Sequence, residues 1–302
     1  QTKDRVIGLA SASYDFTDHL NLQVRASADI ASNRGWTKYY NDTYIIAQFG
    51  QFSESRNHSI RWDGDAIVSY GRDVLDNWSV DATLGASLTQ ERGGFVGAGT
   101  GTALTVPNFF SLGNTQNVQV SESEGAPRDV QSVFGRGEIG WNDAVFLNFT
   151  GRNDWSSTLP PDNWSFFYPS VGLSAVLTDL VTFPEFVDFL QVRGSWARVG
   201  NEASPFQTVR TASFFAGGSN GFLELSSTLP ADDLVPEETE SWEFGTQIRT
   251  LNERLELDAT LYHSETRNQL FTLQLPVASG ASNVFTNGGN VRNRGIELTY
   301  SY

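Results

Sequence analysis

Apolar and polar side chains alternate strictly along much of the chain, most cleanly over residues 77–89. There Trp78, Val80, Ala82, Leu84, Ala86 and Leu88 form one series, and Ser79, Asp81, Thr83, Gly85, Ser87 and Thr89 form the other. Only an extended strand, whose side chains repeat every two residues, sorts these series onto opposite faces. The same split recurs at Leu22, Val24, Ala26 and Ala28 against Asn21, Gln23, Arg25, Ser27 and Asp29. It recurs again at Leu255, Leu257, Ala259 and Leu261 against Glu256, Asp258 and Thr260, and within 190–196 and 242–248. Weaker alternation covers 60–70, 130–139, 145–150, 169–177 and 294–300, and the first segment, 6–14, is ambiguous in phase.

These segments predict about eleven strands of roughly 9 to 12 residues. That is longer than the usual strand of a globular sheet and close to what a tilted membrane strand requires. The expected connections alternate in size. Short turns fall at 15–19, 71–76, 141–143 and 251–253, with a somewhat longer one at 178–188. Long segments fall at 31–59, 91–129, 153–167, 200–239 and 265–293. Several long loops on alternate connections are foreign to a compact soluble domain. They fit an all-β, transmembrane antiparallel barrel with short turns on one side, long loops on the other, an apolar outer face and a polar interior. A soluble β-sandwich or β-helix also alternates, but small Ala and Gly on the apolar face and Trp or Tyr near strand ends favour the barrel. No fixed period relates the segments, which disfavours a solenoid.

Composition sharpens this reading. The longest runs of apolar side chains, residues 44–47 and 144–147, have four members, whereas a membrane helix needs about 20. Lys and Arg number 20 against 35 Asp and Glu, a net charge of -15 that argues against a nucleic-acid partner. Charged residues make up only 18% of the chain while aromatics reach 13%, an odd balance for a water-facing surface. The absence of Cys removes disulfides and thiolate chemistry. A Gln1 start without any Met leads to the expectation that residues 1–302 are a segment of a longer polypeptide.

Candidate chemistry is weak. Gly217-Gly-Ser219-Asn-Gly221 matches a nucleophile-elbow pattern, and Asp232 or Asp233 followed by His263 completes the hydrolase order. No helical period follows Ser219, so a Gly-rich loop explains the match. Gly97, Gly99 and Gly101 lack the helix that a phosphate loop needs. His19, His58 and His263 never stand at zinc-ligand spacing. Neither a metal, a cofactor nor enzymatic activity is expected. The pairs Asp63 with Asp65 and Glu256 with Asp258 each lie on one strand face, about 7 Å apart. Such pairs could serve as acid and base or as calcium ligands, but they fit a polar lumen wall better. The lumen-side carboxylates Asp29, Asp63, Asp65, Asp81, Glu138, Glu243, Glu256, Asp258 and Glu297 can pair with Arg25, Arg61, Arg136, Arg193 and Arg249.

Aromatics in the long loops offer stacking faces for sugar rings or apolar peptide side chains. Trp36, Tyr39, Tyr40, Phe109, Trp155, Trp164 and Phe215 are the candidate cargo-binding residues. The competing role for each is to pack loop against loop or to join the outer aromatic girdle.

Motifs in the second half add a family. Residues 151–157 (Gly-Arg-Asn-Asp-Trp-Ser-Ser) followed by 167–174 (Phe-Tyr-Pro-Ser-Val-Gly-Leu-Ser) resemble the Arg-x-Asp-Gly-Ser-Ser and Phe-Pro-Ser-Val elements of SusC/RagA-type TonB-dependent outer-membrane transporters. Trp155 replaces the usual Gly. The likeness continues through 190–201, is strongest at 234–245 (Leu-Val-Pro-Glu-Glu-Thr-Glu-Ser-Trp-Glu-Phe-Gly), and extends to 254–262 and 287–298. Before Gln131 the match is only in style. The resemblance implies a barrel of about 22 strands, of which these residues would be about half. It further implies a plug domain, a TonB box and a terminal strand outside this chain, and a SusD-like surface lipoprotein as lid. Arg152, Asp154 and Pro169 read as conformational elements of strand ends. The implied function is active import of glycans or oligopeptides across the outer membrane. A passive porin or adhesive barrel, and a secreted β-rich hydrolase, are the alternatives.

Overall fold

The computed structural model describes residues 1–101, 103–215 and 221–302. Its first four strands are β1 (Thr2–Thr17), β2 (Leu20–Thr43), β3 (Ala47–Leu75) and β4 (Trp78–Gly99). There follow β5 (Gln119–Glu124), β6 (Arg128–Trp141), β7 (Val145–Ser156), β8 (Ser165–Val176) and β9 (Val187–Asn201). The short strands β10 (Ala212–Phe215), β11 (Phe222–Leu225) and β12 (Thr228–Leu229) precede β13 (Glu237–Thr250) and β14 (Leu255–Arg267). The chain closes with β15 (Gln269–Gln274), β16 (Asn283–Gly288) and β17 (Val291–Ser301).

The main sheet runs β1-β2-β3-β4-β6-β7-β8-β9-β13-β14-β17, with β5 added alongside β4. Its path therefore holds the eleven strands that alternation predicts. From β6 to β17 each neighbouring pair is antiparallel. Short turns join β6 to β7 and β13 to β14. Asn142, Asp143, Leu251, Asn252 and Glu253 take positive φ there, the conformation that matches hairpin twist.

The long segments differ from expectation. Residues 31–59 are not a loop: β2 continues to Thr43 and β3 begins at Ala47. Likewise β4 continues to Gly99, and 200–239 and 265–293 contain the hairpins β10–β11 and β15–β16. Alternation fades where neither face of a strand meets lipid, because nothing then forces one face to be apolar. Backbone pairing carries the strand onward regardless.

Contact density divides the chain into two units: residues 1–11, 25–64 and 88–129, and residues 12–24, 65–87 and 130–302. In the first, Thr100 and residues 104–117 lie against the β2–β3 hairpin. Phe52 N donates to Thr100 Oγ1 at 3.0 Å, and Thr100 N to Phe52 O at 2.9 Å. Asn114 cross-links the segment, accepting from Val106 N (2.9 Å) and donating to Val106 O (2.8 Å) and Phe109 O (2.6 Å). In the second unit Leu159, Ala203 and Leu234 form a small buried cluster, with Phe166, Ala231 and Leu270 packed on it. Most large apolar side chains are instead exposed, as a single-layer wall demands.

The phase of β1 is now fixed. Arg5 pairs with Asp29, and Asn21 donates to Ser13 and Asp15, so the odd-numbered residues of β1 join the polar face. Ile7 and Leu9 on that face are what blurred the pattern.

Candidate functional site

Register turns the alternation of the second unit into two stacks of side-chain rows. On the apolar face the row Leu190–Ile248–Leu257–Tyr300 lies nearest the β13–β14 turn. Above it come Ala175–Val192–Thr246–Ala259–Leu298 and then Leu173–Gly194–Phe244–Leu261–Ile296. The next row is Val171–Trp196–Trp242–His263–Arg294, and the next Arg198–Glu240–Glu265–Arg292. Rows are about 7 Å apart along the strands, so the surface changes from aliphatic to aromatic to ionic within two rows. The Trp196 and Trp242 rings sit 6.0 Å apart. A second pair, Trp78 and Trp141 at 6.3 Å, marks the turn end of the same face. Two aromatic belts bounding an apolar band are the outline of a membrane wall.

The opposite face is polar and charge-paired. Arg193 donates to both oxygens of Asp258 (2.9 and 2.7 Å) and to Thr260 Oγ1 (2.7 Å). It reaches Asp258 by lying across β13 at Gly245, where a Cβ would stand 2.5 Å from its Nε. Arg249 pairs with Glu256 at 3.7 Å and Arg136 with Glu138 at 3.0 Å. Around Arg193 the wall has a pit of about 230 Å³, lined by Asn148, Gly172, Glu243, Gly245 and Thr260 among others. In the first unit Arg61 binds Asp63 (2.9 Å) and Glu91 (3.1 Å), and Arg128 also reaches Glu91. The expected pairing of lumen charges is therefore present. The partner that the sequence reading lacked is Arg5, hidden by the uncertain phase of β1. Asp63, Glu256 and Asp258 are engaged with basic or hydroxyl side chains. That is the behaviour of a structural wall.

The motif residues also prove structural. Arg152 donates to Asp154 (2.7 Å) and to Ser132 Oγ (2.7 Å). Ser156, fully buried, donates its N–H to Trp164 O at 2.9 Å. Asn287 clamps the peptide of Val235, accepting from its N–H and donating to its C=O, both at 2.9 Å. Two separated motifs, 234–238 and 287–289, are thus one interlock, invisible in a sequence because nothing local links them.

Of the seven candidate aromatics, Trp36, Tyr39, Tyr40 and Phe109 belong to the first unit and Trp155, Trp164 and Phe215 to the second. Tyr40 packs edge-on against Phe110 (5.0 Å), and Phe215 lies tilted against Phe222 (5.1 Å). Tyr39 is half-buried on β2, while Trp36 and Tyr40 continue the phase of Leu22 and Val24. Trp155 shares the face of Val145 and Leu147, where a girdle residue belongs. Phe109 and Trp164 remain exposed. Among the described residues no group of three or more His, Cys, Asp or Glu could hold a metal ion. Ser219 and the Gly217–Gly221 pattern, apart from Gly221, lie outside the described residues.

Residues 2–302 match the family described as "TonB dependent receptor-like, beta-barrel". The chain belongs to the TonB-dependent receptor β-barrel family. It is 26% identical over 262 residues to the TonB-dependent receptor P26 of Formosa agariphila, and 24% over 301 residues to the receptor P3 of the same organism. Those matches cover 82% and 95% of the chain but only 26% and 30% of the two receptors. Among solved structures it superposes on the RagAB peptide transporter with a TM-score of 0.87 at 20% identity, over 98% of this chain and 34% of that one. BauA, the ferric preacinetobactin receptor of Acinetobacter baumannii, gives 0.57 at 15%, over 99% and 42%. The higher likeness to RagAB agrees with the SusC/RagA-type motifs.

As a TonB-dependent receptor barrel the chain lies in the outer membrane, its apolar rows toward lipid and its polar rows toward the lumen. Glu265 belongs to the ionic row beyond the aromatic belt. There the hydrogen bond from Arg267, aided by the charges of Arg267 and Arg292, holds its carboxyl below the usual range.

Proposed function

We propose that the full polypeptide carrying these residues imports polar oligomers, glycans or oligopeptides, across the outer membrane. TonB would supply the work through a plug domain outside residues 1–302, and a SusD-like lipoprotein would serve as lid. The observation that carries this reading is the two-faced wall itself. Its lumen side is lined with fixed, mutually compensated charges, and it belongs to a family whose members depend on TonB. Such a surface lets polar cargo and a polar plug slide past without a strongly held stop, because many of its charges are already paired, as Arg193 is with Asp258 and Arg61 with Asp63. Likeness to the RagAB peptide importer adds support for peptide cargo. Loop aromatics that stay more than half exposed, Phe109 (60%), Trp164 (51%) and Phe215 (54%), supply stacking faces for capture. Transport needs no covalent step.

Uptake assays test this. Cells with and without the gene, each with and without TonB, are given fluorescent oligopeptides and fluorescent oligosaccharides. The expected result is uptake of one cargo class that requires both the gene and TonB. Uptake that requires the gene but not TonB would instead establish a passive porin.

A further inference from the structure

Strand β15 pairs with β16 from Gln269↔Gly288 to Gln274↔Asn283, and among the described residues no strand lies on its other side. Leu275 donates its N–H toward β16, to Ser282 O at 2.8 Å, whereas Asn283 donates away from β15, to Ser227 O at 3.2 Å. Residues two apart along an antiparallel ladder bond to the same side. Phe271 and Leu273 therefore turn their N–H and C=O toward β16, and Leu270, Thr272 and Gln274 turn theirs outward. The Leu270 side chain packs on the Leu159–Ala203–Leu234 cluster and anchors the start of the strand. From Phe271 to Gln274 the strand is exposed. Sheets usually blunt such an edge by keeping it very short or by placing Pro, Lys or a bulge on it. The opposite edge follows that rule, since β12 has two residues and runs into Pro230. The edge at β15 does not. Its run Gln-Leu-Phe-Thr-Leu-Gln has no charge, no Pro and no Gly, and its register with β16 is unbroken.

We propose that this edge holds an oligopeptide, which adds to β15 as a further strand. The proposal rests on the import reading above and selects peptide over glycan as cargo. Thr272 and Gln274 offer two N–H and two C=O groups that repeat every 7 Å or about that. The backbone of an extended peptide carries donors and acceptors at the same repeat, whereas the hydroxyls of a glycan do not alternate in this way. Phe271 and Leu273, 40% and 47% exposed, stand on one face of the strand and give the apolar side chains of an added strand a cross-strand neighbour. Recognition through the main chain admits peptides of many sequences, and the absence of charge in residues 269–274 leaves cationic and anionic peptides on equal terms.

Amide hydrogen exchange of the full-length transporter in detergent, read by mass spectrometry over residues 269–275, tests it. Three probes are compared: a terminally blocked heptapeptide of alternating alanine and threonine, the same peptide with every amide N-methylated, and maltoheptaose. Exchange in this segment should be fast without a probe, slow with the heptapeptide, and fast with the other two. Affinity for the heptapeptide should fall about three- to tenfold in Thr272→Pro, which removes one outward N–H and leaves the bonds to β16 in place. Thr272→Val, which keeps the main chain, should bind as wild type does. Slow exchange without any probe would show that another part of the polypeptide covers this edge, and would overturn the proposal. Equal protection by the N-methylated peptide or by maltoheptaose overturns it too, as does undiminished affinity in Thr272→Pro. The comparison of probes uses only wild-type protein, so misfolding of a variant cannot decide it. Protection by the heptapeptide without any TonB-dependent uptake would refute the import reading and leave the peptide site standing. TonB-dependent uptake of peptides with residues 269–275 unprotected would do the reverse.

Discussion

Gly245 shows how much one missing side chain can organise. Arg193 and Asp258 are on β9 and β14, with β13 between them, too far apart for an ordinary cross-strand pair. The bare Cα of Gly245 leaves room for the guanidinium to cross. Other glycines lie beneath aromatic rings in the same manner, Gly85 under Phe134 and Gly137 under Phe149, where the ring covers backbone that would otherwise be open. Gly245→Val should push Arg193 off Asp258. Both partners are about one-third exposed, so the pair itself contributes about 1 kcal/mol or less. Gly245→Val and Asp258→Asn should therefore each cost little, and the double variant should cost less than their sum, because both remove the same interaction. Denaturant unfolding of the four proteins checks this. Full additivity would mean that Gly245 does not act through Arg193. The sequence shows Arg193 and Asp258 as facing the lumen, but not that they meet, since pairing across an intervening strand depends on register and on a glycine in that strand, Gly245.

Elements are legible in the sequence to the extent that the membrane constrains them. Strands such as β4 and β14 announce themselves because lipid on one side and water on the other impose a period of two. Beyond the aromatic belt that constraint lapses, and there the expected loops became the upper halves of β2, β3 and β4 and the hairpins β10–β11 and β15–β16. What orders these outer segments is specific hydrogen bonding. Asn114 gathers residues 105–114, and Asn287 holds Val235 beside β16. Asn287→Ala would leave the N–H and C=O of Val235 without partners, at a cost of about 1–3 kcal/mol for each group that water cannot reach. Residues 201–236 should then be cut by protease several-fold faster in folded transporter, while the membrane strands stay protected. Unchanged cleavage would show that the Leu159–Ala203–Leu234 cluster alone holds the loop.

On the scale of the whole molecule, a chain of net charge -15 becomes a membrane wall because its charges are segregated by strand face and not by segment. The class of fold and the family were legible from this segregation and from the motifs between 151 and 298. The candidate cargo site was less so. Aromatic residues in the outer segments mark stacking faces wherever they occur, yet Tyr40 and Phe215 spend part of their surface on neighbouring rings.

The central claim is that even-numbered residues of β9 face lipid up to the Trp196 row and leave it at Arg198. The chain contains no Cys, so a nitroxide can be attached at single introduced cysteines from Leu190 to Val199 in the full-length transporter reconstituted in bilayers. Power saturation then reads oxygen accessibility at each position. The account predicts maxima at 190, 192, 194 and 196, minima at 191, 193 and 195, and a fall at 198, where the outward face enters the headgroup region. Maxima at the odd positions, or accessibility without a period of two, would contradict it.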